Sequence, residues 1–151
     1  MSDRHEIETL LMLYAERIDV GDFAGVGELF AHATYRAQMG DTTNELRGAD
    51  AVGTALQGMI RMYPVGGPRS KHLITNVVID VDGDTAASRC YWTGLQQTDD
   101  LPLQPVSAGR YHDRFERVDG VWRFADRLVH TDLVGDLSHY LAAGPVGGGA
   151  A

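Results

Sequence analysis

The sequence predicts an α+β domain in which helices come first and a curved antiparallel sheet is wrapped around them. Three observations lead there. Apolar residues near the N-terminus recur at helical spacing; beyond Pro64 and Pro68 the period changes from 3.6 to 2; and two Asp-Gly pairs, Asp82-Gly83 and Asp119-Gly120, separate β-rich runs as hairpin turns do. Helices on one face of such a sheet make a cone-shaped α+β barrel with an apolar interior and an open mouth, suited to a small molecule.

The first helix is the stretch from Ile7 to Asp22, where Ile7, Leu10, Leu11, Tyr14 and Ile18 form an apolar stripe. Gly21 stops it, and Asp22 is a natural N-cap for a second helix, Phe23 to Phe30. A strand-like stretch, His32 to Gln38, and a polar loop, Gly40 to Asn44, follow. Ala49 to Met62 reads as a third helix, with Asp50 near its start and the Tyr63 to Pro68 segment as its stop. Four β-rich runs come next: Lys71 to Val81, Thr85 to Gln97, Val106 to Val118 and Val121 to Asp132, with Thr98 to Pro105 as a loop before the third. They should form an antiparallel meander. Residues 1–135 are expected to be one domain and 136–151 a C-terminal extension, whose Gly- and Ala-rich end from Gly144 is expected to be disordered.

Composition narrows the function. The 151 residues carry a net charge of −8 with no Lys/Arg cluster, which argues against a nucleic-acid partner. The single cysteine, Cys90, excludes an internal disulfide and a multi-cysteine metal site. No apolar run reaches membrane-spanning length and no signal segment opens the chain, so a cytoplasmic protein with no membrane partner is expected. Six histidines are present, but none stands in His-x-His, His-Glu-x-x-His or facial-triad spacing; phosphate-loop and nucleophile-elbow motifs are missing too. No cofactor and no metal are expected, and any chemistry falls to side chains alone.

Asp19 is singled out by position. In the last helical turn the negative end of the macrodipole disfavours another negative charge, and no capping task explains the residue. A carboxylate so placed beside an apolar stripe is a candidate for acid–base work, although a solvated surface Asp is the plainer reading.

Tyr14 and Asp19 at five-residue spacing, His72-Leu73-Ile74-Thr75-Asn76 opening the first long strand, Gly109-Arg110-Tyr111, and Asp119-Gly120-Val121-Trp122-Arg123-Phe124 together resemble the nuclear-transport-factor-2-like superfamily. Within it the chain resembles the SnoaL-like branch, which includes scytalone dehydratase, bile-acid 7α-dehydratase and hexachlorocyclohexane dehydrochlorinase. The resemblance spans roughly residues 5 to 135. It implies an Asp and His dyad at Asp19 and His72, with His72 abstracting a proton while Asp19 holds its tautomer. It implies that Tyr14 polarises a substrate oxygen and that Arg127 holds a leaving group or an anionic oxygen.

His130 lies three residues after Arg127, so both reach one cavity only if a bulge intervenes. Of the neighbours Tyr111 and His112 only one points inward, and the match favours Tyr111; Tyr91 and Trp92 pose the same choice. Met59 is a further candidate for the pocket wall, while His5, His32 and His139 are taken as surface residues.

The reading that follows is a cofactor-independent, dehydratase-like lyase acting on a hydrophobic cyclic substrate. Isomerisation or polyketide-type cyclisation would use the same pocket, as in ketosteroid isomerase and the polyketide cyclases. A non-catalytic small-molecule-binding module is the alternative of a different class, signalled by a cone filled with Met12, Met59, Met62 or aromatic side chains. A β-subunit of a ring-hydroxylating oxygenase is a more distant one. The open face of a curved sheet leads to the expectation of a homo-oligomer, dimer or trimer.

Overall fold

In the computed structural model, residues 2–142 are described. Helix α1 runs Asp3–Asp19, α2 Phe23–Leu29 and α3 Gly48–Met59; the strands are β1 Thr34–Met39, β2 Thr42–Arg47, β3 Ser70–Asp82, β4 Thr85–Thr98, β5 Leu101–Val118 and β6 Val121–Val134. The Gly- and Ala-rich stretch from Gly144 on, expected to be disordered, lies outside the described residues.

Local chemistry sets the helix ends. The Ser2 side chain accepts the His5 N–H and starts α1 ahead of the apolar stripe. Gly21 takes a positive φ of 78° after α1 ends, and the Asp22 carboxylate then accepts the Gly25 N–H at 2.9 Å to open α2. Ile7, Leu11, Tyr14 and Ile18 are buried as the stripe requires, while Leu10 sits at its edge. Helices α2 and α3 pack so closely that a Cβ on Gly27 would come 2.3 Å from the Ala49 carbonyl oxygen.

The strands form one curved, unclosed sheet of order β2-β1-β6-β5-β4-β3, antiparallel except where β1 runs parallel to β6. The expected meander is the run β3 to β6. Its inner face is read from the burial alternation: Ser88, Cys90 and Trp92 on β4, Tyr111, Asp113 and Phe115 on β5, and Trp122, Phe124, Arg127 and Val129 on β6.

Three elements differ from expectation. The polar loop at Gly40 is a hairpin, Gly40 itself having φ 60°, and Thr42 to Arg47 pair as β2 with β1. Its side chains are mostly exposed, so no apolar period announces it. Helix α3 ends at Met59 because Ile60 turns extended and bridges Leu141. The loop from Thr98 to Pro105 shrinks to a turn, with β5 beginning at Leu101 and two register shifts against β4 absorbing Pro105.

Candidate active site

The C-terminus of α1 and the start of β3 meet at Asp19 and His72. The Asp19 carboxylate accepts the His72 backbone N–H at 2.8 Å and the Ser70 hydroxyl at 3.2 Å, and it lies 2.7 Å from His72 Nδ1. These donors offset the unfavourable helix end. The two side chains are 8% and 10% exposed. With the Asp19 carboxylate as acceptor, Nδ1 carries the hydrogen of this contact, and in that tautomer Nε2 is left as an acceptor.

Around the dyad the inner face is aromatic. The His72 ring has its centroid 6.2 Å from that of Trp92 and 6.4 Å from that of Tyr140. Deeper in, Tyr14 and Tyr35 share a hydroxyl–hydroxyl hydrogen bond of 2.8 Å. Burial raises the pKa of both, with Arg127 opposing the shift, so both stay protonated at neutral pH.

Arg127 reaches this interior, but with its charge already matched. It forms a two-pronged ion pair with Asp113, at 2.7 and 2.9 Å, and neither side chain is exposed. Its guanidinium lies 3.7 Å from the centroid of the Tyr111 ring and 4.2 Å from that of Tyr14. Burial works against the charge, yet Asp113 more than compensates and holds the Arg127 pKa above its ordinary value. Nη1 of Arg127 and Nε1 of Trp92 are buried donors with no acceptor among the described residues.

Three candidates sit elsewhere. His130 faces the outer side of the sheet, opposite to Arg127, where its ring lies 5.5 Å from that of His112. Two register shifts do occur on β6, but one falls before Arg127, between Phe124 and Asp126, and the other after His130, between Thr131 and Leu133, so the alternation from Arg127 to His130 stays regular. Tyr91 is likewise on the outer side, 53% exposed, while its neighbour Trp92 points in. Met59 is half exposed at the end of α3, where its carbonyl accepts the Ala142 N–H. Two clefts of about 410 and 400 Å³ open on the outer face, the first lined by Arg36, His112, Arg114 and His130, the second by Arg89, Tyr91, Arg110 and His112. Neither touches the dyad.

The mouth of the cone beside His72 is covered by residues 136–142. The Arg61 N–H donates to the Tyr140 carbonyl at 2.8 Å, Gln96 donates to the His139 carbonyl at 3.1 Å and so does the Tyr63 hydroxyl. This strap lays Tyr140 against the core beside Ser70, where burial raises the pKa of its hydroxyl. Asp113, Tyr35, Ser70 and Tyr140 are additions to the site that the sequence reading lacks. A charged residue alternating with Tyr111 and Phe115 is a signal for Asp113; nothing in the local sequence points to Tyr140.

A SnoaL-like domain model matches residues 1–128, most of the chain. The chain belongs to the SnoaL-like family. No curated protein matches it. Among solved structures, the SnoaL-like chain is similar to a single-residue variant of Rv3472, a protein of unknown function from Mycobacterium tuberculosis. The identity is 24%, over 87% of this chain and 73% of that one, with a TM-score of 0.72. It is also similar to an NTF2-like protein with a cystatin-like fold from Novosphingobium aromaticivorans, at 23% identity over 85% and 81% of the two chains and a TM-score of 0.69. A provisionally named scytalone dehydratase from the same organism aligns at 24% identity over 89% and 87%, with a TM-score of 0.69. These likenesses show the fold. Among the described residues of the SnoaL-like chain, no helix is long and apolar enough to cross a membrane. Nor do three His, Cys, Asp or Glu side chains there converge as metal ligands would.

Proposed function

We propose that the protein is a cofactor-independent lyase that eliminates water, or another small leaving group, from a hydrophobic cyclic substrate. The observation that carries this reading is the 2.7 Å contact between Asp19 and His72 Nδ1. In this reading His72 Nε2 removes the proton, and Asp19 fixes the tautomer and stabilises the imidazolium that forms. The Tyr14–Tyr35 pair uses one hydroxyl hydrogen internally and leaves the other for a substrate oxygen. Arg127 acts through the Tyr14 ring that it covers, since Asp113 already occupies one edge of its guanidinium. Tyr111 and Trp92 form the aromatic wall. One protein of like fold carries a dehydratase name, in keeping with this reading. Isomerisation or cyclisation would draw on the same base. A homo-oligomer in the cytoplasm completes the picture, and sedimentation velocity tests the assembly.

The test is turnover of a panel of cyclic β-hydroxy ketones and related alcohols. His72→Ala and Asp19→Asn should each abolish it while the far-ultraviolet circular dichroism stays unchanged; full activity in either variant would sink the proposal. A second reading, a ligand-binding module without catalysis, is favoured by the strap over the mouth and the aromatic filling of the cone. Binding of panel members without turnover by the wild-type protein would select it.

A further inference from the structure

We propose that residues 136–142 form an autoinhibitory strap, in which Tyr140 closes the chamber over His72 and the whole segment lifts as one unit to open it. That the contact inhibits rests on the acid–base reading of His72; that the strap lifts does not.

The His72 and Asp19 side chains are only 10% and 8% exposed. The ring that lies over the mouth beside them is that of Tyr140. It meets His72 edge-on, with centroids 6.4 Å apart and planes at 62°. Its hydroxyl lies beside Ser70, whose own hydroxyl donates to Asp19 at 3.2 Å. An aromatic side chain of the protein itself thus occupies the approach to the dyad.

The strap is built to move in one piece. Its near end is anchored, since the Gly135 N–H donates to the Val106 carbonyl at 2.8 Å. Beyond that point it holds its own turn. The Asp136 carboxylate accepts the Ser138 N–H at 2.9 Å, and the Leu137 carbonyl accepts the N–H groups of Tyr140 and Leu141, each at 3.0 Å. None of these bonds has to break when the segment swings away from the body. The bonds that do break are a separate set, a latch. The Arg61 N–H donates to the Tyr140 carbonyl and the Ala142 N–H to that of Met59, both at 2.8 Å. The Gln96 and Arg61 side chains reach the His139 and Leu141 carbonyls, both at 3.1 Å, and the Tyr63 hydroxyl joins Gln96 on His139.

Closure carries a cost at that latch. Arg61 Nε and Gln96 Oε1 are buried and have no partner among the described residues. A buried polar atom left unpaired forfeits the hydrogen bonds that water would give it. Both atoms belong to side chains that hold the strap, so lifting it returns them to water, while Tyr140 and Leu141 lose their contacts with the body. These opposed effects at one interface bring the closed and open forms close in free energy, as local opening requires.

Two measurements on the full-length protein test this. The first is amide hydrogen exchange followed by NMR. The Arg61 N–H is released whenever the strap lifts, so it should exchange about a hundredfold faster than the amides of the central strand β5. Exchange as slow as theirs would mean that the strap opens only with the whole fold, which overturns the proposal.

The second is modification of histidines by diethyl pyrocarbonate, mapped by mass spectrometry, with the exposed His112 as internal reference. Ile60 and Leu141 form an antiparallel bridge flanked by the Arg61–Tyr140 and Met59–Ala142 bonds, the non-hydrogen-bonded pairing in which Cα atoms lie about 4.5 Å apart and a disulfide fits. In the double variant Ile60→Cys with Leu141→Cys, the oxidised form should be modified at His72 about tenfold more slowly than the reduced form, with His112 unchanged. Tyr140→Ala should speed His72 modification about tenfold. Equal His72 rates in the oxidised and reduced forms would sink the proposal, whether or not the Tyr140 variant folds. Turnover separates the strap from the lyase reading. If the lock slows His72 modification in a protein that turns over no panel member, the lyase falls and the strap stands. Turnover that the oxidised lock leaves unchanged does the reverse.

Discussion

The Arg127 guanidinium and the Asp113 carboxylate meet edge to edge through contacts of 2.7 and 2.9 Å, with no solvent on either side chain. Removing one partner leaves an uncompensated charge in the core. Asp113→Ala should destabilise the fold by about 3–5 kcal/mol, whereas the double change Asp113→Leu with Arg127→Met should return most of that loss. Urea unfolding of the two variants measures the difference. Equal destabilisation in both would show that packing rather than charge governs the site.

The Tyr14 and Tyr35 hydroxyls partner each other at 2.8 Å deep in the core. Tyr14→Phe or Tyr35→Phe should each cost about 1–2 kcal/mol by stranding the other hydroxyl. The double variant should cost less than the sum of the two. A double-mutant cycle from thermal or urea unfolding reads the coupling directly.

At Gly109 an added methyl would sit 1.8 Å from the His130 carbonyl oxygen and 2.9 Å from the Trp92 ring. Gly109→Ala should therefore lower stability by roughly 1–3 kcal/mol and shift the Trp92 fluorescence. Gly120→Ala is a useful contrast: open space surrounds its Cβ, but φ is +80°, so its loss should come from the backbone alone and leave that fluorescence unchanged.

Cys90 is buried on β4, and burial pushes its thiol up to about 11. The folded chain therefore keeps its proton while the unfolded chain, near 9.0, gives it up. Stability from this group is complete below the unfolded value of 9.0 and is lost as pH rises toward about 11. In mildly alkaline buffer iodoacetamide should label Cys90 only in urea; rapid labelling of the native protein would contradict the burial.

Period and turn chemistry made most of the fold legible. The 3.6 spacing from Ile7 to Ile18, Gly21 with Asp22, and two Asp-Gly turns act over a few residues, so they can be read locally. β2 escapes such a reading because the side chains from Thr42 to Arg47 are mostly exposed and gain their place only by pairing with β1.

The site divides in the same way. Asp19 is recognisable as a carboxylate with no helical task, and His72 by its family resemblance; each belongs to a short stretch of chain. Which of Arg127 and His130, or of Tyr91 and Trp92, points inward depends on where the strand registers shift, a property of paired strands. The Asp113 partner of Arg127 lies 14 residues away across β5 and β6, and Tyr140 reaches the mouth because Arg61, Tyr63 and Gln96 bind the strap's backbone. Local periodicity determines which residues seek the interior; only the assembled sheet decides which of them meet there, because those contacts join segments whose separation along the chain carries no pattern of its own.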